Sequence, residues 1–273
     1  MLAGDLDVIG ITGDLVGQFE GQDGFDITET PSNALQLMAF NTDHEALSDV
    51  RVRQALTMAV DKDALIETVW YGYGDKIGSH YPPILKGYVD HADSLSYDPD
   101  GALALLEEAG YPNGEGIQLD MYLPSAYPAY VSAGQVIADY LTNIGVTVNI
   151  QNVEWAVWLS DVYTGRNYDL TVTGHTGRLD PYTLLARYNS ESPENYMNYS
   201  NDRVNELLDN VQVELDEATR DDMYGEIQDI LAEEVPGFYI QSPIGLRVTK
   251  DSVSGIETYP IDIIELKDIT ITE

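Results

Sequence analysis

The side chains best suited to holding a small molecule lie close together at residues 174–178, directly after a predicted strand. His175 offers two ring nitrogens, Thr176 a hydroxyl, and Arg178 five N–H donors that suit carboxylates or hydroxyls. Gly177 and the glycine before His175 let the backbone approach a ligand closely. This set of donors and acceptors favours a binding site.

Each of these residues also has a purely structural interpretation. His175 can be a loop residue whose hydrogen bonds are satisfied within the protein, and Arg178 can pair with a neighbouring carboxylate in so acidic a chain. Trp155 is a further candidate for the wall of a cleft. Trp155 and Trp158 are spaced as neighbours on one helix face, however, so at least one of them is expected in the core. Asp180, which precedes a proline, is expected to cap a helix.

The sequence contains none of the compact signatures of common catalytic sites. There is no G-x-S-x-G nucleophile motif, no glycine-rich phosphate loop with lysine, and no H-E-x-x-H zinc motif. The four histidines are scattered, cysteine is absent, and carboxylates are too numerous for any pair to indicate glycoside hydrolysis. A binding protein without a cofactor or metal is therefore favoured over an enzyme, with a secreted halophilic hydrolase as the alternative.

Acidic residues dominate the charge of the chain. Thirteen Lys and Arg against 47 Asp and Glu give a net charge of 13 − 47 = −34. A phosphate backbone would be repelled by such a surface, so we exclude nucleic acid as a partner. Dispersed acid with few lysines is similar to the proteins of extreme halophiles, in which concentrated salt screens the self-repulsion. Ordinary acidic solubility is the simpler alternative.

Alternating strand and helix patterns predict an α/β fold that would carry these residues at a sheet edge. Strand patterns at 117–123, 146–150 and 168–173 alternate with helical patterns at 136–144 and 155–162. The alternation predicts parallel strands joined by crossovers. Ligands of such sheets lie beyond the carboxyl ends of the strands, where the donors after the third strand would stand.

Several motifs follow one another in an order similar to that of a known family. Asn41 is followed by D-V-R-V-R-Q-A-L-T-M-A-V-D-K from Asp49, and Y-D-P with L-L-E-E-A-G-Y lies at 97–111. L-T-N-I-G-V-T-V, Y-D-L and N-Y-S-N follow at 141–148, 168–170 and 198–201. The chain thereby resembles family 5 extracellular solute-binding proteins, the dipeptide- and oligopeptide-binding receptors of ABC importers, over nearly its whole length.

The resemblance implies a type II periplasmic-binding-protein-like α/β fold, in which two lobes close on a ligand. Against that pattern, residues 46–241 would form one complete lobe, and residues 1–45 and 242–273 would be remnants of the other. The missing N-terminal half would carry most of the first lobe, the export signal and a lipid anchor, which implies an extracytoplasmic place at the cell surface. The implied partners are a solute and the permease subunits of a membrane importer.

One departure from the family pattern bears on the ligand. Peptide-binding members place an aspartate in the loop after the Y-D-L strand, where it holds the amino terminus of the peptide, whereas this chain has Arg178 near that place. A guanidinium would repel an ammonium. Oligosaccharides or solutes with an anionic group therefore stay open beside a peptide-class solute. A sensor that reports a solute to a membrane kinase is a further alternative in the same fold.

Overall fold

The computed structural model describes residues 1–2, 5–176, 178–261, 263 and 265–272. The strands are β1 Val8–Ile11, β2 Phe25–Pro31, β3 Leu35–Phe40, β4 Gly74–Lys76, β5 Gln118–Pro124, β6 Thr147–Val153, β7 Leu170–His175, β8 Gly237–Lys250, β9 Val253–Ser254 and β10 Thr270–Ile271. The α-helices are α1 Val50–Met58, α2 Lys62–Trp70, α3 Pro99–Glu108, α4 Pro128–Asn143, α5 Trp155–Val157, α6 Pro181–Leu185, α7 Asp202–Val211 and α8 Glu217–Glu234. A π-helix, Trp158–Thr164, continues α5, and short 3-10 helices span Gly13–Gln18, Pro112–Gly114 and Ala186–Tyr188.

Acidic side chains cap many of the helices at their N-termini. Asp61, Asp98 and Asp216 each accept a hydrogen bond of 2.9 Å from a backbone N–H in the first turn of α2, α3 and α8. The first N–H groups of a helix have no partner within the helix, so a carboxylate there is stabilised by the hydrogen bond and by the helix dipole. In α3 the cap is followed by Pro99 at the first position, as its sequence predicts.

The main sheet runs in the order β1-β8-β3-β7-β5-β6, with β2 and β4 also paired to β8. β5 pairs in parallel with β6 on one side and with β7 on the other, so the two crossovers predicted from the sequence are present. β3 is antiparallel to both β7 and β8. β8 is a single strand of 14 residues, where the sequence pattern predicts separate short strands.

β8 joins two parts of the sheet. Its first half, up to Pro243, pairs with β3 and β4, and its second half, from Ile244 onward, pairs with β1 and β2. β3 lies before the lobe boundary that the sequence predicts at residue 45, yet it pairs with β7, inside the part assigned to the complete lobe. The division of the chain at 45/46 and 241/242 stays a prediction.

Two hydrophobic clusters pack on the two faces of this sheet. Along β3, Leu35 and Leu37 join one cluster, whereas Met38 and Phe40 join the other, because successive side chains of a strand point to opposite faces. The Met38 cluster packs against α1 to α4, and the Leu35 cluster packs against α7 and α8 and contains many buried tyrosines. Within the described part of the chain, no helix combines the length and apolar character needed to cross a membrane.

Candidate functional site

A cavity of about 200 Å³ opens where β7 ends and β3 begins. His175, the last residue of β7, lies opposite Leu35, the first residue of β3. The cavity is lined by Ala34, Leu35, Gln36, Tyr127, Tyr130, Trp155, Thr173, Gly174, His175, Thr176 and Pro243. It therefore lies at the carboxyl end of a parallel strand, where α/β sheets bind their ligands. Three of the predicted site residues, Trp155, His175 and Thr176, meet there.

Four aromatic rings pack in a continuous row beside the cavity. Tyr130 stacks on Tyr127 with 5.3 Å between ring centroids, and Tyr127 meets Trp155 edge to face at 5.3 Å. Trp155 stacks in turn on Trp158, with centroids 4.8 Å apart and planes within 5°. Trp158 is a core residue whose Nε1 donates to Thr171 Oγ1 at 2.9 Å, whereas Trp155 keeps 36 % of its surface exposed. One tryptophan thus belongs to the core, as predicted, and the other forms part of the cavity wall.

Gly174 allows Tyr130 to lie against the backbone of β7. A Cβ atom at this position would be 2.2 Å from Tyr130 Oη and 3.0 Å from its Cζ. Burial, and secondly the neighbouring Tyr127, raise the pKa of Tyr130, and the Gln36 side chain partly offsets this effect. Gln36 Oε1 accepts in turn from Gln241 Nε2 at 2.7 Å. The floor of the cavity is therefore polar but uncharged.

His175 presents an uncharged ring to the same cavity. Its Nε2 lies 3.2 Å from Tyr196 Oη, and its Nδ1 is buried and has no partner among the described residues. Burial, and secondly the positive charge of Arg187, hold the pKa of His175 well below its usual value of 6.5. At neutral pH the ring therefore serves as a neutral hydrogen-bonding group.

The loop after β7 carries the remaining predicted residues. Thr176 lines the cavity with an exposed side chain, and Arg178 is exposed beyond it; Gly177 lies outside the described residues. Counting the described residues only, Arg178 forms no hydrogen bond or ion pair, so nothing there favours the interpretation that it ties the loop to a carboxylate. Asp180 accepts from the N–H groups of Tyr182 and Thr183, each at 3.3 Å, and this confirms it as a helix cap.

Tyr127, Tyr130 and Gln36 line the cavity but are not among the residues that the sequence patterns single out. For Tyr127 a signal exists. It precedes Pro128 at the start of α4, directly after β5, and this is the same kind of position as the loop after β7. For Gln36 there is no comparable signal, because only the pairing of β3 with β7 places it opposite Gly174.

A larger cavity, of about 710 Å³, lies elsewhere, between α1, α8 and residues 198–201. Arg53 in its wall donates to the backbone carbonyls of Leu47 at 2.8 Å and Val235 at 3.0 Å. This guanidinium therefore satisfies backbone carbonyls at the end of α8 and before α1, which is a structural role. No group of three or more His, Cys, Asp or Glu within the described ranges could hold a metal ion. The cavity at the end of β7 is the candidate ligand site.

Residues 1–196 match the family described as bacterial extracellular solute-binding proteins, family 5, middle part. The chain belongs to this family. It is 28% identical over 264 residues to the dipeptide-binding protein of Escherichia coli (strain K12), which covers 94% of this chain and 49% of the relative. It is 30% identical over 232 residues to di/tripeptide-binding protein 2 of Pseudomonas aeruginosa, which covers 82% and 43% respectively. The chain thus spans about half the length of the curated relatives it matches.

Membership of family 5 confirms the resemblance carried by the sequence motifs. Members of this family are solute-binding proteins rather than enzymes. The peptide-binding protein AppA of Clostridium difficile superposes with a TM-score of 0.91 at 18% identity, over 99% of this chain and 57% of the other. At that identity the likeness shows the fold alone, and it confirms the predicted type II periplasmic-binding-protein-like α/β class.

Proposed function

We propose that this chain is the ligand-holding lobe of an extracytoplasmic solute-binding protein, which takes a peptide-class solute into an interlobe cleft and delivers it to the permease of an ABC importer. The observation that carries the proposal is the cavity at the end of β7, where Trp155, His175 and Thr176 meet. Its lining includes Pro243, where β8 passes from one part of the sheet to the other. A ligand there would lie at the junction that a closing motion would cover.

The relatives favour a peptide as the solute. Proteins of Escherichia coli and Pseudomonas aeruginosa that match most of this chain are a dipeptide-binding and a di/tripeptide-binding protein. The protein would act outside the cytoplasm, held at the cell surface by a lipid anchor. Its role would be binding without turnover, and its partners the membrane permease subunits.

The side chains around the cavity restrict how such a peptide would be held. All eleven lining residues lack a formal charge, since they include no Asp, Glu, Lys or Arg. A peptide amino terminus would find no carboxylate there, whereas the rings of Tyr127, Tyr130 and Trp155 suit an apolar or aromatic side chain. Arg178, exposed beyond the rim, would attract a carboxylate. This observation keeps an anionic solute, or an oligosaccharide that stacks on the rings, as the second candidate.

Calorimetry on the protein with both lobes, in molar KCl, would test the proposal. The ligand panel contains dipeptides, their N-acetylated forms and short oligosaccharides. We expect a peptide to bind, and Trp155→Ala to weaken it by about 2 kcal/mol or more, the scale of one lost aromatic wall. Tyr97→Ala is the matched control, because Tyr97 is an aromatic residue that is 48% exposed and does not line the cavity.

Three results would contradict the proposal in whole or in part. Unchanged affinity in the Trp155→Ala protein would show that the ligand does not bind in this cavity. Cleavage of a bound peptide or oligosaccharide, lost on replacing a single carboxylate, would identify a hydrolase instead. If an oligosaccharide bound tightly and no peptide bound, the cleft would still be the binding site but the solute would not be a peptide.

A further inference from the structure

A second histidine lies directly behind the cavity wall. His80 follows β4 and is fully buried, and its ring centroid is 4.9 Å from that of His175 with the planes tilted by 38°. It does not line the cavity itself. Any effect of His80 on a ligand must therefore pass through His175.

Tyrosine hydroxyls hold both rings in place. Tyr188 Oη lies 2.8 Å from His80 Nδ1, and Tyr239 Oη lies 3.0 Å from Tyr188 Oη. On the other side, Tyr196 Oη lies 3.2 Å from His175 Nε2. The second nitrogen of each ring, His80 Nε2 and His175 Nδ1, is buried without a partner among the described residues.

This arrangement suits neutral imidazoles and penalises charged ones. A neutral ring has one N–H and one acceptor nitrogen, whereas a protonated ring has two N–H groups and a charge. Each ring has a bonding partner for only one nitrogen, so protonation would leave a buried, charged N–H unsatisfied. Because the two rings are in contact, protonating either of them also makes protonation of the other less favourable.

The charges around the pair add to this penalty. The 3-10 helix contributes Arg187, whose side chain is 11% exposed and lies 3.6 Å from Glu194. The same 3-10 helix, Ala186–Tyr188, also contributes the Tyr188 hydroxyl. Among the described residues, the other elements in contact with the rings contribute only the hydroxyls of Tyr196 and Tyr239. Within the described residues, no carboxylate bonds to either ring. Burial, then the neighbouring His175 and Arg187, lower the pKa of His80 well below 6.5.

We propose that His80 is a positioning residue for the ligand cavity, which holds the His175 wall in place only while both imidazoles are uncharged. His175 contacts the ligand. His80, which is held by Tyr188 and Tyr239, keeps the His175 ring from rotating out of the cavity wall. Protonation in acid would then disorder the cavity wall around His175 at a higher pH than that at which the whole domain unfolds. The effect on a ligand rests on the proposed function, whereas the effect on the wall does not.

The wall can be followed without any ligand. His175 contacts Tyr196, and Tyr196 contacts Trp158, which stacks on Trp155. In a Trp70→Phe background, which removes the third tryptophan of the chain, the near-ultraviolet circular dichroism of the tryptophan pair reports the cavity wall, and the far-ultraviolet signal reports the fold. In this background, which serves as wild type for the histidines, we expect the tryptophan signal to fade as the pH falls below about 6.5, the value for a histidine in the unfolded chain, while the far-ultraviolet signal persists.

The variants separate positioning from simple stability. His80→Phe keeps a planar ring that cannot be protonated, and we expect its tryptophan signal to depend clearly less on pH than that of wild type. His80→Gln, which can still bond to the Tyr188 hydroxyl, serves if the phenylalanine protein does not fold. His91→Gln is the control, because that ring lies beside Asp229 at 2.8 Å, away from the cavity, and it should behave as wild type does.

A ligand arm completes the test, with alanyl-phenylalanine as the probe. We expect its affinity to fall by at least about ten-fold between about pH 7.5 and pH 5 in wild type, and by less in a folded His80 variant. A folded His80 variant whose tryptophan signal keeps the wild-type pH dependence would overturn the proposal. Absence of probe binding in every protein would count against the peptide function instead, and the dichroism would still decide the role of His80.

Discussion

Replacing Gly174 by alanine tests whether the backbone of β7 and the ring of Tyr130 form the cavity floor together. The added Cβ would lie 2.2 Å from Tyr130 Oη, 3.0 Å from Tyr130 Cζ and 3.4 Å from the carbonyl oxygen of Leu35. The first distance is too short for any contact, so the tyrosine must move. The ring is packed between β7 and Tyr127, and moving it would open the floor of the cavity.

The expected cost follows from overpacking. Forcing an extra methyl group into a packed site destabilises a protein by about 1–3 kcal/mol. Tyr130→Phe alone should cost about 1 kcal/mol, because it removes a buried hydroxyl that interacts with the Gln36 side chain. In the double variant the hydroxyl that clashes is gone, so its cost should be less than the sum of the two by about 1 kcal/mol or more.

Urea unfolding in molar KCl would measure these free energies of unfolding. Gly245→Ala in β8 is the matched control, because its nearest atom would be the carbonyl oxygen of Thr30 at 3.5 Å, an ordinary contact. We expect that variant to be neutral or slightly stabilised, since alanine restricts the unfolded chain more than glycine does. If Gly174→Ala matched this control, or if the costs of Gly174→Ala and Tyr130→Phe simply added, the contact would not form the floor.

Three further outcomes follow from the charges and the site. Burial holds the pKa values of His80 and His175 below the unfolded value of about 6.5, so the unfolded chain binds more protons in acid. Stability is then fully present above about pH 6.5 and falls by up to about 2 kcal/mol per ring at pH 5, and a His80→Gln/His175→Gln protein should lose correspondingly less on urea unfolding. Arg178→Ala should weaken the binding of an anionic or peptide ligand by about 1.5–3 kcal/mol in calorimetry and leave the melting temperature nearly unchanged; a fall in melting temperature with unchanged affinity would assign the side chain to the loop. The net charge of −34 should make the melting temperature rise steeply between dilute buffer and molar KCl, and a flat dependence would contradict salt adaptation.

Local sequence predicts many of the helices and the parallel strands, and it predicts a candidate site after β7. Asp98, Asp180 and the residues after them have the pattern of helix starts, and both side chains accept backbone N–H groups in the structure. The rule that ligands lie beyond parallel strands predicts a candidate site after β7. Trp155, His175 and Thr176 meet in one cavity there, although their contact with a ligand stays a prediction.

Contacts between distant parts of the chain could not be predicted in this way. Gln36 reaches the cavity because β3 pairs with β7 in a register that sets it opposite Gly174. His80 reaches His175 across 95 positions of sequence, and a lone histidine between a glycine-serine pair and a tyrosine gives no sign of a buried partner. A one-residue change of register in β3 would turn a different face of the strand to the cavity, and no local pattern specifies that register.

The acidic surface and the uncharged cavity have different physical roles. Several carboxylates already have local tasks as helix caps, such as Asp61 and Asp216, and most others face solvent, where molar salt screens them over about 3 Å. The cavity is lined by aromatic, amide, hydroxyl and neutral imidazole groups, whose contacts with a ligand depend little on screening. Salt should therefore affect the stability of the domain and the association rate of a charged solute. It should have little effect on the contacts between the folded cavity and the uncharged groups of the solute. Arg178, exposed beyond the rim, is a charged group near the cavity whose contribution would fall with salt, so the salt dependence of affinity should be weaker in the Arg178→Ala protein.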